Sequence, residues 1–147
     1  MILAVGTYAQ TPGEWTWMSG VSSANYVGNF GTLGIPAVTN KPAGIYEAGE
    51  WTDHQGNFWL YGGETISGWS DNLWKYDVNA NVWTWMKGSG PSTNHPPVYG
   101  QQGVPSATNS PGERVTPQTW TDNDGNLWLF GGASYLDVNM GAPFNDL

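Results

Sequence analysis

Trp51-Thr52-Asp53-His54-Gln55-Gly56-Asn57-Phe58-Trp59-Leu60-Tyr61-Gly62-Gly63 returns 69 residues later as Trp120-Thr121-Asp122-Asn123-Asp124-Gly125-Asn126-Leu127-Trp128-Leu129-Phe130-Gly131-Gly132. Each copy has the form of a short β-hairpin. Trp-Thr-Asp ends one strand, a Gly-Asn turn reverses the chain, and an aromatic and aliphatic run makes the next strand before a glycine pair. A period of this size marks a repeat architecture rather than a single irregular domain.

The repeat extends outward on both sides. Trp83-Thr84-Trp85-Met86 echoes Trp15-Thr16-Trp17-Met18 at an offset of 68. Alternation of rings and threonine predicts a half-buried strand at both places. Between strands run two long Gly-, Ser-, Asn- and Pro-rich excursions, 20–43 and 88–110, which also correspond. Gly31-Thr32-Leu33-Gly34-Ile35-Pro36 becomes Gly100-Gln101-Gln102-Gly103-Val104-Pro105. A long structureless loop is unusual in a compact domain, but here its recurrence makes it part of the unit. Further strands are expected over 45–53, 72–77 and 114–122. No stretch combines 3.6-residue periodicity with helix caps, so helix is expected to be scarce.

Composition fits short strands joined by glycine turns. The 147 residues include 10 Trp, 21 Gly and 10 Pro, whereas disordered chains are poor in aromatics. Net charge is −8, from 4 basic and 12 acidic residues. Isolated basic residues argue against nucleic acid and against an anionic membrane surface, and no run is long enough to span a bilayer. With no cysteine, disulfides, thiolate metal sites and a cysteine nucleophile are excluded. Few lysines and a surface of Gly, Ser, Thr and Asn lead us to expect an extracellular or cell-surface location. The apolar start at Met1–Gly6 is too short for a signal sequence.

Four strands per unit, the doublets Gly62-Gly63 and Gly131-Gly132, and the seven-residue spacing of Tyr76 and Trp83 together resemble the kelch motif of β-propellers. Tyr8 and Trp15 keep the same spacing. The resemblance covers essentially the whole chain and implies an all-β, kelch-type propeller segment of about two four-stranded blades. The long excursions resemble those of bacterial secreted kelch-like repeats, with a period nearer 69 residues than the usual ~50. Residues 1–20 would be the third and fourth strands of a blade, 44–88 a complete blade, and 111–147 the first and second strands of another with a tail. The Pro-x-x-Arg leading into the first strand is present as Pro111-Gly112-Glu113-Arg114, but Ile45 stands where the other copy would have Arg. In the kelch and galactose-oxidase group, the copper site uses a tyrosine cross-linked to cysteine, which this chain cannot form.

Two blades do not close a propeller, which typically needs four to eight. The expectation is therefore a piece of a longer chain or a homo-oligomeric ring, with three chains the first expectation and four the second. A ring joined head to tail is a heterologous contact that closes only at the right rotation. Its interface is expected to use Leu3, Val5, Tyr8, Leu129, Gly131, Gly132 and Leu147, with 3–8 of one subunit against 129–132 of the next.

Candidate chemistry is sparse. Asp122-Asn123-Asp124-Gly125-Asn126 opens like a calcium loop, but the sixth and twelfth positions are Leu127 and Ala133 rather than Gly and Glu, and a plain turn is the better reading. His54 and His95 are the two imidazoles and fall in different parts of the repeat. Glu14, Glu47, Glu50, Glu64 and Glu113 show no spacing that pairs two for sugar hydrolysis. Aromatics outside the repeat pattern, Tyr26, Trp69, Tyr99 and Tyr135, are the candidates for stacking on a glycan. The expected function is a non-enzymatic binding or structural module, without cofactor or metal, whose loops engage a protein or glycan. The alternative is a fragment of a larger secreted carbohydrate-binding or carbohydrate-active propeller.

Overall fold

A computed structural model describes residues 12–91, 95–134 and 142–147. Among them the protein is all β, with eleven strands and no helix. The first copy runs Ile45–Tyr46 (β1), Gly49–Thr52 (β2), Phe58–Tyr61 (β3), Glu64–Thr65 (β4), Gly68–Trp69 (β5), Leu73–Asp77 (β6) and Val82–Lys87 (β7). The second gives Gln118–Thr121 (β8), Leu127–Phe130 (β9), Ala133–Ser134 (β10) and Ala142–Pro143 (β11).

Strands β2, β3, β6 and β7 form a four-stranded antiparallel meander in that order. Trp51 opposes Trp59, Trp59 opposes Lys75, and Tyr76 opposes Trp83. Side chains alternate across the pleat, so Trp74 and Tyr76 of β6 turn inward together. Their rings meet Trp83 at 6.4 and 5.0 Å between centroids, and Phe30 of the first excursion packs 5.1 Å from Trp74. This aromatic cluster is the core of the first copy.

The expected strand over 45–53 is divided. Glu47 has a positive φ of 58° and separates β1 from β2. Thr116, at the same place in the second copy, has φ 50°. Positive φ is unfavourable for any residue with a Cβ and unusual for a β-branched one, and the kink sends β1 into a different sheet. There it pairs with β4, and β4 with β5. Residues 64–69 thus form a small hairpin.

Residues Trp15–Met18, expected as a strand, form none. Trp15 is 99% exposed and Trp17 68%. A ring-rich strand of this kind stays extended only beside a partner, as β7 does beside β6.

The second copy repeats the first residue by residue. Strands β8 and β9 pair as β2 and β3 do, with Trp120 opposite Trp128. Strands β10 and β11 pair antiparallel, as β4 and β5 do. Gly131 N donates to Asp146 O at 3.1 Å as Gly62 N donates to Asn72 O at 3.2 Å. Leu147 therefore stands where Leu73 begins β6.

Candidate functional site

The two copies meet along a joint made of equivalent positions. Thr119 Oγ1 donates to Glu50 O at 2.7 Å and Thr121 Oγ1 to Thr52 O at 3.0 Å, each across 69 residues. Thr116 N donates to Glu47 O at 2.8 Å, again one repeat apart. Trp51 Nε1 donates to Trp128 O at 2.8 Å, and His54 Nε2 lies 3.1 Å from Asp122 O. The three contacts that link a position to its own counterpart, at Thr116, Thr119 and Thr121, all run from the second copy to the first, which relates the copies by a repeated step. It is not a two-fold, in which the same patch would face itself.

The glycine pair serves this joint. A Cβ on Gly62 would lie 2.3 Å from Arg114 O, and Gly63 N donates to that same carbonyl at 2.8 Å. Tyr61 closes the contact by donating its hydroxyl to Gly112 O at 2.8 Å. Burial pushes the Tyr61 phenol well above its ordinary pKa, so the ring stays a neutral donor.

The same face of the second copy is open. Trp51 is 8% exposed and Tyr61 6%, while their counterparts Trp120 and Phe130 are 44% and 42% exposed. Trp120 and Trp128 lie parallel, 6.2 Å between centroids and 3° apart in plane. Together with Phe130 they make an aromatic surface of the kind that marks an interaction site on a protein of this size.

Arg114, fully buried, holds the other side of the second copy. Its guanidinium donates to Gly131 O, to Pro111 O and to both Asp146 carboxylate oxygens, and sits 4.3 Å over the Phe144 ring. Desolvation raises the Asp146 pKa, but the bonds from Arg114 and Tyr99 outweigh it and hold the carboxyl below its usual value. The first copy solves the same place without the arginine. There Ile45 replaces the arginine, and Asn72 bonds Ser70 Oγ, Gly90 O and Gly90 N.

The Asp-Asn-Asp-Gly-Asn stretch is a turn anchor. Asp122 accepts from Asp124 N, Asn126 N, the Asn126 amide and Trp128 Nε1, and Asp53 accepts the same set from Gln55, Asn57 and Trp59. Both carboxylates spend their lone pairs on N–H donors, an arrangement that leaves a cation little to bind. For Asp122 the Trp128 bond is the largest influence and lowers the pKa to about 2. For Asp53 desolvation pushes upward, and the Trp59 and Asn57 bonds overcome it to reach about 2. Among the described residues no three His, Asp or Glu side chains group as metal ligands.

The residues singled out from sequence scatter. Trp69 is buried, so its ring offers no free face to a sugar, and its Nε1 donates to Glu64 at 3.1 Å. Tyr26 is half-buried on the first excursion and Tyr99 is exposed on the second. Tyr135, Leu3, Val5 and Tyr8 lie outside the described residues. Leu129 and Gly132 are half-buried and Gly131 is buried, while Leu147 is exposed. Leu129, Leu147 and Tyr99 line one groove of about 1090 Å³ beside β9. Sequence reasoning missed Thr119, Thr121 and Trp51 as joint residues. The signal was present, since Thr52 and Thr121 repeat at the period, but a threonine on a strand ordinarily signifies only β-propensity. No family model matches the chain, and no curated protein matches it.

Proposed function

We propose that the protein is a non-enzymatic, kelch-type β-propeller module that assembles with further copies of itself, about two blades per chain, into a closed ring. What supports this reading is the joint between equivalent positions of the two copies. The face that receives Thr119 and Thr121 on the first copy exists again on the second, where Trp120, Trp128 and Phe130 are bare. Rings of this size do not stay in water when a matching surface is available, because burying each stabilises by roughly 1.5–3 kcal/mol.

The joint between chains would not be identical to the joint within a chain. Glu50 stands where Thr119 donates, Phe130 where Tyr61 donates, and Asn123 where His54 contacts a carbonyl. The aromatic area is retained while two hydroxyl donors are absent, so association between chains is weaker than docking within one. The ring would then present the excursions as a rim of loops, on which Tyr26 is the aromatic candidate for a protein or glycan ligand.

Solution mass by light scattering and native mass spectrometry across a concentration series tests the assembly. A defined multiple is expected, three chains first and four second. A chain that stays monomeric at every concentration refutes it.

A further inference from the structure

The first copy shows what an excursion does beside its outer strand. Gly34 N donates to Trp85 O at 2.7 Å, and the Asn40 amide donates to Trp83 O at 3.1 Å. The Phe30 ring meets Trp85 edge-on at 5.2 Å. The excursion thus clamps β7 by main-chain, amide and aromatic contacts.

The second excursion is built alike. Val98 bridges Ser110 as Asn29 bridges Lys41. The Asn109 amide donates to Val104 O as that of Asn40 donates to Ile35 O. Gly103 and Gly34 share a φ of 74°. Tyr99 takes the place of Phe30. Here the clamp holds no strand among the described residues. Tyr99, Gly103, Asn109 and Leu129 instead line the groove of about 1090 Å³, and β9 is paired on one side by β8.

A segment of matching form lies elsewhere in the chain. Trp15-Thr16-Trp17-Met18 is the sequence counterpart of Trp83-Thr84-Trp85-Met86, and both its indoles are exposed. Outside a strand, it already shares two local features with β7. Trp17 Nε1 donates to Ser19 O at 2.6 Å, as Trp85 Nε1 donates to Lys87 O at 2.9 Å. The glycine that follows each has positive φ, 98° at Gly20 and 114° at Gly88. An indole held in its bound form loses less freedom on docking.

We infer that the groove of the second excursion binds the Trp15–Met18 segment of another copy of this chain, as the first excursion holds β7. Gly103 N donates to Trp17 O, the Asn109 amide donates to Trp15 O, and Tyr99 packs on the Trp17 ring. Within the chain the segment is exposed and does not line the groove, so the occupant comes from a neighbour. The inference rests on the reading of assembling copies and assigns that assembly its donor and its acceptor.

The test uses two full-length variants, Trp17→Arg on the donor and Tyr99→Arg on the groove. Both positions are exposed, so each chain keeps its fold, checked by circular dichroism, and like charges prevent the two blocked faces from rescuing each other. Each variant alone is expected to lose assembly at concentrations where the unaltered chain assembles fully. Mixed, they are expected to form a dimer of one chain each and nothing larger, because one intact donor and one intact groove remain. Trp15→Arg, at the most exposed ring, serves as a second donor-side variant with the same expected behaviour. If the unaltered chain assembles and either face variant assembles equally well, the inference falls while the ring reading stands. Two monomeric variants that give no mixed dimer also overturn it. An unaltered chain that never assembles overturns both.

Discussion

The two hairpins carry nearly the same residues in different surroundings. Trp51 and Tyr61 are buried because the second copy stands against them, and Trp120 and Phe130 are half bare in a face that nothing among the described residues covers. Local structure is the same in both. Each has an Asp-anchored turn with a Trp indole on the carboxylate, and each ends in a positive-φ glycine pair. Hairpin formation is therefore a property of the sequence of one copy, whereas burial is a property of its neighbour.

That contrast can be broken most forcefully at the glycines. Gly62→Ala places a Cβ 2.3 Å from the Arg114 carbonyl at a φ of 70°, and should cost roughly 3 kcal/mol or more from strain and displaced backbone. The counterpart Gly131→Ala, with φ 67° and its nearest neighbour Phe144 O at 3.2 Å, should cost about 1–2 kcal/mol, mostly from the backbone angle. Urea unfolding of the monomeric chain measures both, and equal losses would contradict the difference in environment.

A smaller effect is expected from the threonines. Thr121→Val removes the hydroxyl that reaches Thr52 O and should cost about 1 kcal/mol. Thr52→Val, whose residue gives the joint its carbonyl, should change monomer stability by less than about 0.5 kcal/mol and weaken only the contact between chains. Unfolding curves and solution mass, taken together, separate the two.

The smallest effect is on acid stability. Asp53 and Asp122 titrate near 2 in the folded chain against 3.8 for an unperturbed group. A depressed carboxyl contributes stability above the unfolded value and loses it as pH falls toward the folded one. A modest decline between about pH 4 and pH 2, similar for both copies, is expected in urea midpoints. Replacing either by Asn should flatten its share, and a decline untouched by both replacements would place the titration elsewhere.

Much of the strand order was legible, for identifiable reasons. Trp-Thr-Asp, the Gly turns and the alternating Leu-Trp-Lys-Tyr of β6 each encode a period of two and a reversal, which local sequence can express. The break at Glu47 was hidden, since nothing in Ala-Gly-Ile-Tyr-Glu-Ala announces a positive φ on a glutamate. That angle is held from outside, by Thr116 N on the Glu47 carbonyl. Trp69 looked free because it lies off the repeat pattern. Its burial arises from the β4–β5 hairpin and the Glu64 carboxylate, a tertiary matter. Trp15–Met18 read as a strand because its pattern is that of β7, and pattern alone does not supply the neighbouring strand. The joint was the least legible feature, because a hydroxyl donating to a carbonyl one repeat away leaves no mark in either copy alone.

The clamp on β7 has a consequence for solubility. An outermost strand ordinarily offers a row of unpaired carbonyls and amides to any extended chain that passes, and so invites aggregation. Here Gly34 N takes the Trp85 carbonyl, and Ala37 makes an isolated antiparallel bridge to Trp83. The loop thereby ends the sheet at four strands. A stretch as rich in tryptophan as Val82–Lys87 would otherwise be the most adhesive in the molecule, and the excursion lets it stay at the rim without recruiting strangers.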